Sequence, residues 1–192
     1  MTQILLFHHA QGLTPGCLAF ANDLRSAGHV VHAPDLYDGR VFDELPDGVR
    51  YAEEEIGFGT LIERGRASAE SLPPEIVYAG FSLGVLPAQM LAQTRPGARG
   101  ALLFHSTVPP SEFGDGWPAG VPLQMHLMDR DEFALEGDLD AARELAATVD
   151  DAELFEYSGD RHLFADTSLP DYDEAAATLL TERVLSLLSR LD

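Results

Sequence analysis

A short apolar run that ends in Gly-x-Ser-x-Gly constrains this chain more than any other feature. Ile76 to Ala79 has the character of a buried strand, and Gly80 to Gly84 reads Gly-Phe-Ser-Leu-Gly before an Ala- and Leu-rich segment. This pattern is typical of a nucleophile elbow, a sharp strand-to-helix turn that raises a serine hydroxyl clear of the sheet. Glycines flank the serine because side chains there would collide with the tight backbone. A strand, turn and helix with a chemically silent serine fit the same pattern, so the rest of the chain must decide.

Strand-like and helix-like segments alternate along the whole sequence. Apolar runs predict strands at 3–8, 30–33, 76–79, 101–104, 123–128 and 153–157. Helical spacing of apolar residues, with Thr14-Pro15 as a start signal and Gly28 as a stop, predicts helices at 14–28, 51–71, 85–92, 139–148 and 172–191. The segments 38–48 and 106–120 are rich in Gly and Pro and are predicted as loops. The alternation predicts about six parallel strands with helices on both faces, and functional loops at the strands' carboxyl ends.

Composition limits the classes of protein and partner. With 192 residues, 45% of them hydrophobic, we expect one folded domain over residues 1–192. The net charge of −20 argues against nucleic acid and anionic membrane surfaces as partners. No apolar run is long enough to span a bilayer, and strand-like residues begin at Ile4, so we expect neither an anchor nor a signal peptide. The single cysteine, Cys17, cannot form an internal disulfide, which fits a cytoplasmic protein.

An elbow serine needs a base and a carboxylate that orients the base. In α/β-hydrolases these follow the serine in the order acid, then histidine. Ser82 follows the third predicted strand, Asp129 and Asp131 follow the fifth, and His162 follows the sixth. All of them lie at strand carboxyl ends, which form one edge of a parallel sheet, so the three groups are predicted to converge. The residues alone leave Asp129 and Asp131 open as the acid.

An oxyanion hole needs two backbone N–H groups. Leu83, directly after the serine, is predicted to offer one at the start of a helix, where backbone donors are unpaired. The other is expected from the loop after the first strand, with Ala10 as the first choice and Gln11 as the second.

Four blocks of sequence give the chain a family resemblance that runs from Ile4 to Asp166. They are residues 10–13 (Ala-Gln-Gly-Leu), 33–37 (Ala-Pro-Asp-Leu-Tyr), the elbow 80–84 and 159–164 (Gly-Asp-Arg-His-Leu-Phe). In these blocks the chain resembles the dienelactone hydrolases of the α/β-hydrolase superfamily. The resemblance implies a lidless hydrolase of a small ester or lactone, with no cofactor and with Ser82, Asp131 and His162 as its catalytic triad. It favours Asp131 because the family's catalytic Asp is separated by one residue from a Phe, here Phe133.

The sequence departs from the family at three positions. The namesake enzymes carry cysteine where Ser82 stands, often glutamate at the position of His9, and a substrate-binding arginine at the position of Asp166. A carboxylate at position 166 is expected to repel an anionic lactone, so we predict a neutral or cationic ester as the substrate. The departures also leave open a catalytically silent protein that binds a small molecule or a partner. A further alternative is acyl transfer to an alcohol or thiol instead of water.

Other conspicuous residues are predicted to have structural roles. Cys17 has no base in a recognisable pattern, so we expect a buried, unreactive side chain. The spacing of His8, His9, His29 and His32 fits no zinc pattern, and no metal is predicted. Apart from Asp131, the acidic run 129–140 is predicted to be a solvated face.

The loop after the fourth strand is the least determined. Trp117, Phe113 and Pro118 fit an acyl pocket and a loop anchor equally well. His105, at the end of that strand, is predicted to point into the cleft.

Overall fold

A computed structural model describes residues 1–192 and contains one six-stranded sheet in the order β2-β1-β3-β4-β5-β6. Every neighbouring pair of strands is parallel. The strands are β1 Gln3–Phe7, β2 Val30–His32, β3 Val77–Phe81, β4 Gly100–Phe104, β5 Leu123–Met128 and β6 Ala152–Tyr157. All residues of β3, β4 and β5 are buried, as their continuous apolar runs predict for strands that are covered on both faces. The predicted parallel sheet is confirmed.

Helices cover both faces of the sheet. They are α1 Pro15–Ser26, α2 Leu45–Arg50, α3 Phe58–Ala69, α4 Val85–Thr94, α5 Leu139–Thr148 and α6 Glu174–Leu191. Alternate side chains of β1 belong to two separate cores: Leu5 belongs to the core that includes residues of α3, α4 and α5, whereas Ile4 belongs to the core that includes residues of α1 and α6. No separate lid covers the sheet's carboxyl edge. None of the helices combines the length and the apolar composition that a bilayer crossing requires.

The strand order fixes where a ligand can bind. From β1 the chain moves outward to β2 and then returns to the other side of β1 as β3. The carboxyl ends of β1 and β3 therefore flank a crevice, which is where open parallel sheets bind their ligands. The loop that begins at His8 and the turn at Ser82 both start there.

The segment between β2 and β3 differs from its prediction as one helix over 51–71. Helix α2 already begins at Leu45, continues as a wide helical turn over Tyr51–Ile56 and stops at Gly57, after which α3 begins. Gly57 has a φ of +84°, a left-handed conformation that glycine adopts without strain and that ends a helix. A second wide turn, Ala134–Asp138, lies in the acidic run and precedes α5.

Candidate active site

The turn between β3 and α4 has the geometry of a nucleophile elbow. A single 3₁₀ turn, Ser82–Gly84, joins the two elements. Ser82 has a φ of +48°, a left-handed conformation that is unusual for a residue other than glycine. A Cβ at Gly80 would lie 2.1 Å from the carbonyl oxygen of Gly84, and a Cβ at Gly84 would lie 2.5 Å from that of Phe7. Close backbone approach therefore requires both glycines, and the strained serine stands at the carboxyl edge of the sheet.

Ser82 and His162 are in hydrogen-bonding contact. The Oγ atom of Ser82 lies 2.7 Å from Nε2 of His162, although the two residues are 80 positions apart in the chain. His162 follows β6, is 6% exposed, and has the ring of Phe133 against its own at a centroid distance of 4.6 Å. The parallel topology brings the two side chains together because β3 and β6 end at the same edge.

Of the two candidate acids, Asp131 is the one that contacts His162. Its Oδ2 lies 2.6 Å from Nδ1 of His162, and its Oδ1 accepts the backbone N–H of Phe133 at 3.0 Å. The Oδ1 atom of Asp129 instead accepts the backbone N–H of Gly159 at 2.9 Å and ties the end of β5 to the loop after β6. The carboxylate of Asp131 holds the imidazole hydrogen on Nδ1, so that Nε2 has a free lone pair facing the serine hydroxyl.

Two backbone N–H groups border the serine. Leu83 and Ala10 line the same cavity as Ser82, and the N–H of Ala10 makes no hydrogen bond within the protein. The N–H of Gln11, the second choice from sequence, donates to Nδ1 of His9 at 3.2 Å. Of the two residues considered in this loop, Ala10 therefore has the available donor.

A cavity of about 340 Å³ lies in front of this constellation. Besides Ala10, Ser82, Leu83 and His162, its lining consists of Val49, Ala52, Phe58, Leu86, Ser106, Phe133, Glu136 and Asp138. The apolar side chains suit a hydrocarbon group. The lining holds two carboxylates and no lysine or arginine.

The two carboxylates of the cavity belong to the acidic run that was predicted to be a solvated face. The wide turn before α5, where Gly137 has a φ of +137°, places both beside the cavity. Glu136 is exposed there, as predicted, but the prediction is wrong for Asp138. Asp138 is half-buried, and burial raises the pKa of its carboxyl, although hydrogen bonds from Ser106 and the backbone of Thr107 act against the rise. A run of charges in a sequence carries no information on where a turn directs them.

The loop after β4 also differs in part from its prediction. His105 does not point into the cleft but is 1% exposed, with its ring 4.6 Å from that of Phe164 and 5.7 Å from that of Phe81. Burial lowers the pKa of His105 well below its usual range, so its ring is neutral. Trp117 anchors the loop by donating its Nε1–H to the carbonyl of Val121 at 2.7 Å, and it lies outside the cavity lining.

Behind the cavity, His9 and Asp166 form a buried pair. Nε2 of His9 lies 2.8 Å from Oδ2 of Asp166, and the residues are 0% and 3% exposed. Burial would raise the pKa of Asp166, but hydrogen bonds from its neighbours, His9 foremost, lower it to about 2. Burial opposes a charge on His9, yet its carboxylate partner raises the pKa of the imidazole. Because the N–H of Gln11 points at Nδ1, the ring hydrogen that His9 donates to Asp166 is the one on Nε2.

The position of Asp166 in the fold undermines the prediction that its carboxylate repels an anionic substrate. Sequence position suggested a carboxylate facing the substrate, but Asp166 is buried against His9 and lies outside the cavity lining. It makes no contact with a ligand in the cavity, so a facing carboxylate at this position no longer supports the predicted repulsion. Cys17 is buried as expected, with its Sγ 3.8 Å from Oδ2 of Asp166.

Solved structures share this fold. A dienelactone hydrolase-like promiscuous phosphotriesterase from metagenomic libraries is 19% identical, with a TM-score of 0.72 over 100% of this chain and 87% of that one. A dienelactone hydrolase from Anabaena variabilis is 18% identical, with a TM-score of 0.68 over 96% of this chain and 84% of that one. A thermophilic esterase from the planctomycete Thermogutta terrifontis is 19% identical, with a TM-score of 0.65 over 99% and 83% of the two chains. These similarities confirm the α/β-hydrolase fold.

Comparison with protein families covers nearly the whole chain. A search among curated proteins finds no match. The profile of the dienelactone hydrolase family matches residues 1–191, which include the elbow, the loop after β1 and the loop after β6. The chain therefore belongs to the dienelactone hydrolase family.

Proposed function

We propose that this protein is a serine hydrolase that cleaves a small, uncharged or cationic ester through an acyl-enzyme, with residues 1–192 as one catalytic domain. The observation that carries the proposal is the unbroken series of hydrogen bonds from Ser82 to His162 to Asp131, at 2.7 and 2.6 Å. Ser82 and His162 line a cavity, and backbone donors lie beside the serine. Family membership and neighbours described as esterases support ester hydrolysis as the reaction class.

In the proposed mechanism, Oγ of Ser82 attacks the ester carbonyl while Nε2 of His162 takes its proton. Asp131 orients the imidazole and stabilises its charged form. The N–H groups of Leu83 and Ala10 stabilise the oxyanion, and loss of one such donor typically raises the barrier by ~3 kcal/mol. The alcohol leaves with the proton from His162. Water then attacks the acyl-enzyme with the same histidine as base, and the carboxylic acid is released.

A fluorophosphonate probe tests the nucleophile directly. We expect stoichiometric labelling of the wild type, loss of labelling in Ser82→Ala, and parallel loss of 4-nitrophenyl acetate hydrolysis. The Thermogutta terrifontis esterase is described as phosphorylated by paraoxon, which makes organophosphorus reagents a reasonable probe for this fold. A folded wild type that takes up no label would contradict the proposal and favour the silent, ligand-binding alternative.

The charge preference now rests on the cavity. Glu136 and Asp138 border the space in front of Ser82, and no cationic side chain there offsets them. An anionic substrate would approach two carboxylates in a partly desolvated site, where like charges interact more strongly than in water. Uncharged and cationic esters avoid this repulsion.

Three esters with one leaving group test the preference: 4-nitrophenyl esters with a neutral, a trimethylammonium and a carboxylate acyl chain of similar length. We expect kcat/KM to be lowest for the carboxylate ester and to rise for it in Asp138→Asn. Asp140→Asn removes the same charge two residues away, where the side chain is exposed and outside the cavity, and serves as the matched control. Fastest turnover of the carboxylate ester by the wild type would refute the substrate class and leave the mechanism intact.

The buried pair weakens the argument for the silent alternative. This alternative was suggested by His9 and Asp166, and these form a buried pair whose side chains do not line the cavity.

The acyl acceptor is a separate question. Product analysis in the presence of methanol would distinguish hydrolysis from transfer by the yield of methyl ester.

A further inference from the structure

The His9–Asp166 pair connects two loops whose relative position matters for the proposed mechanism. His9 directly precedes Ala10 in the loop after β1, and Asp166 stands four residues after His162 in the loop after β6. Their hydrogen bond, Nε2 to Oδ2 at 2.8 Å, joins residues 157 positions apart. No substrate can touch either side chain, since both are buried outside the cavity lining.

Each end of the pair is held by further hydrogen bonds. On the histidine side, the N–H of Gln11 donates to Nδ1 at 3.2 Å. On the aspartate side, Oδ2 also accepts the Thr14 hydroxyl at 2.5 Å, and Oδ1 accepts the N–H and hydroxyl of Ser168 at 2.8 and 2.6 Å. With both ring nitrogens and both carboxylate oxygens engaged, neither side chain can rotate without leaving a buried polar group unpaired, which is costly.

The surroundings are built around this carboxylate. A Cβ at Gly16 would lie 1.7 Å from Oδ1 of Asp166, so only glycine leaves room for it. The ligand atoms of His9, Cys17 and Asp166 lie within 4.8 Å of one another, a set that could in principle hold a metal ion. Direct hydrogen bonds already engage both oxygens of Asp166, however, and this favours a hydrogen-bonded contact over a metal site.

We infer that the His9–Asp166 hydrogen bond is a positioning contact, which holds the N–H of Ala10 and the ring of His162 on the same side of Ser82. The inference rests on the proposed function. The N–H of Ala10, the proposed oxyanion donor, belongs to the peptide bond that joins it to His9. A shift of the His9 side chain therefore moves that donor. Asp166 fixes the far end of the same contact to the segment that begins with His162. Both residues act through others and do not touch the substrate.

Two amide substitutions separate the contacts of His9. In His9→Gln the side-chain nitrogen reaches the place of Nε2 and can still donate to Asp166. In His9→Asn the shorter amide reaches only the place of Nδ1, so the bond to Asp166 is lost. We expect His9→Asn to lower kcat for 4-nitrophenyl acetate by roughly 10- to 100-fold with KM little changed, somewhat less than outright loss of an oxyanion donor costs. His9→Gln should recover most of this loss.

A boronic acid inhibitor supplies a readout that a purely structural role would not move, because its tetrahedral adduct needs the oxyanion donor. Its affinity should fall in His9→Asn in proportion to kcat. Cys17→Ala alters packing at the same place but keeps the His9–Asp166 bond, so it should leave kcat within about twofold of the wild type even if stability drops. Three results would each overturn the inference: equal kcat in the two His9 variants, a loss confined to KM, or an equivalent of zinc in the purified protein.

A measurement independent of activity keeps this inference separate from the proposed function. The N–H of Gly12 donates to the carbonyl of His9 at 3.0 Å and so reports on the order of this loop. Its hydrogen exchange should be faster in His9→Asn than in His9→Gln. If fluorophosphonate fails to label Ser82 but this difference is found, the proposed function fails while the contact between the loops stands. If labelling succeeds and exchange is the same in both variants, the positioning role is wrong and the hydrolase stands.

Discussion

The replacement Asp131→Asn would test the proposed triad because the structure fixes how the new amide must lie. Oδ1 of Asp131 accepts the backbone N–H of Phe133 at 3.0 Å, and Oδ2 faces Nδ1 of His162 at 2.6 Å. An asparagine must keep its oxygen on the Phe133 N–H, so its NH₂ group faces the imidazole. That group can only donate, which forces Nδ1 to accept and moves the ring hydrogen to Nε2. Nε2 then faces the Ser82 hydroxyl with a hydrogen and cannot take its proton.

The expected loss follows from this wrong tautomer. A change of the same kind in the well-studied serine protease triad lowers kcat by ~10⁴. We expect a 10³- to 10⁴-fold loss here, which corresponds to roughly 4–5.5 kcal/mol in the barrier. The assay is the steady-state hydrolysis of 4-nitrophenyl acetate, with thermal unfolding to show that the variant is folded. KM should change little, because Asp131 does not line the cavity.

Asp129→Asn is the matched control, since it makes the same chemical change two residues away. Asp129 uses Oδ1 to accept the N–H of Gly159 at 2.9 Å, and the amide oxygen of asparagine can do the same. We expect kcat within about threefold of the wild type, as for a residue that takes no part in the transition state. A loss below tenfold in Asp131→Asn, or a larger loss in Asp129→Asn, would refute the assignment of the acid.

Three further predictions concern stability. Ser82→Gly should be more stable than Ser82→Ala by about 1 kcal/mol in urea unfolding, because glycine relieves the left-handed strain at a φ of +48°; equal stabilities would show that the turn is unstrained. Gly16→Ala should lower stability by about 2 kcal/mol or more and so reduce Tm, because its Cβ would meet Oδ1 of Asp166 at 1.7 Å. Gly59→Ala, in α3 with open space around it, is the control and should cost nothing. Because folding lowers the pKa of Asp166 from 3.8 to about 2, its carboxylate should contribute about 2 kcal/mol to the free energy of unfolding. This contribution is present above pH 4 and is lost as the pH falls towards 2. Parallel acid-unfolding curves for the wild type and Asp166→Asn would contradict this.

The sheet and the elbow could be predicted from sequence because their signals are local. Buried parallel strands must be apolar on both faces, so β3 and β4 are visible as unbroken apolar runs. The elbow needs glycines at two fixed offsets from the serine, because backbone atoms approach both positions closely. The expected convergence of Ser82, His162 and an aspartate at 129 or 131 needed only the rule that parallel strands end at one edge, whereas the choice of Asp131 came from the family resemblance. These inferences depend on the path of the chain and not on the packing of any side chain.

The parts that sequence could not provide depend on three-dimensional packing. Gly57 ends a helix that apolar spacing predicted to continue. Its left-handed φ could not be predicted from sequence, because a glycine can adopt several backbone conformations. His105 was placed in the cleft from its position at a strand end, yet it packs between Phe81 and Phe164 with both ring nitrogens unpartnered. The run of acidic residues likewise does not predict the wide turn that brings Asp138 to the cavity. Which way a side chain points at a strand end or in a turn is decided by neighbours distant in sequence.

His9 and Asp166 show why departures from a family pattern must be considered together. Taken singly, Asp166 suggested repulsion of an anionic substrate, and His9 suggested the loss of an activating glutamate. In the fold they are the two halves of one buried contact of 2.8 Å, so the departures compensate each other. A return to glutamate at position 9 alone would set two carboxylates against each other in a desolvated site, where one must take up a proton or the contact must break. A carboxylate at position 9 therefore requires a different partner at position 166, and the proposed discrimination against anions is assigned to residues that border the cavity, Glu136 and Asp138.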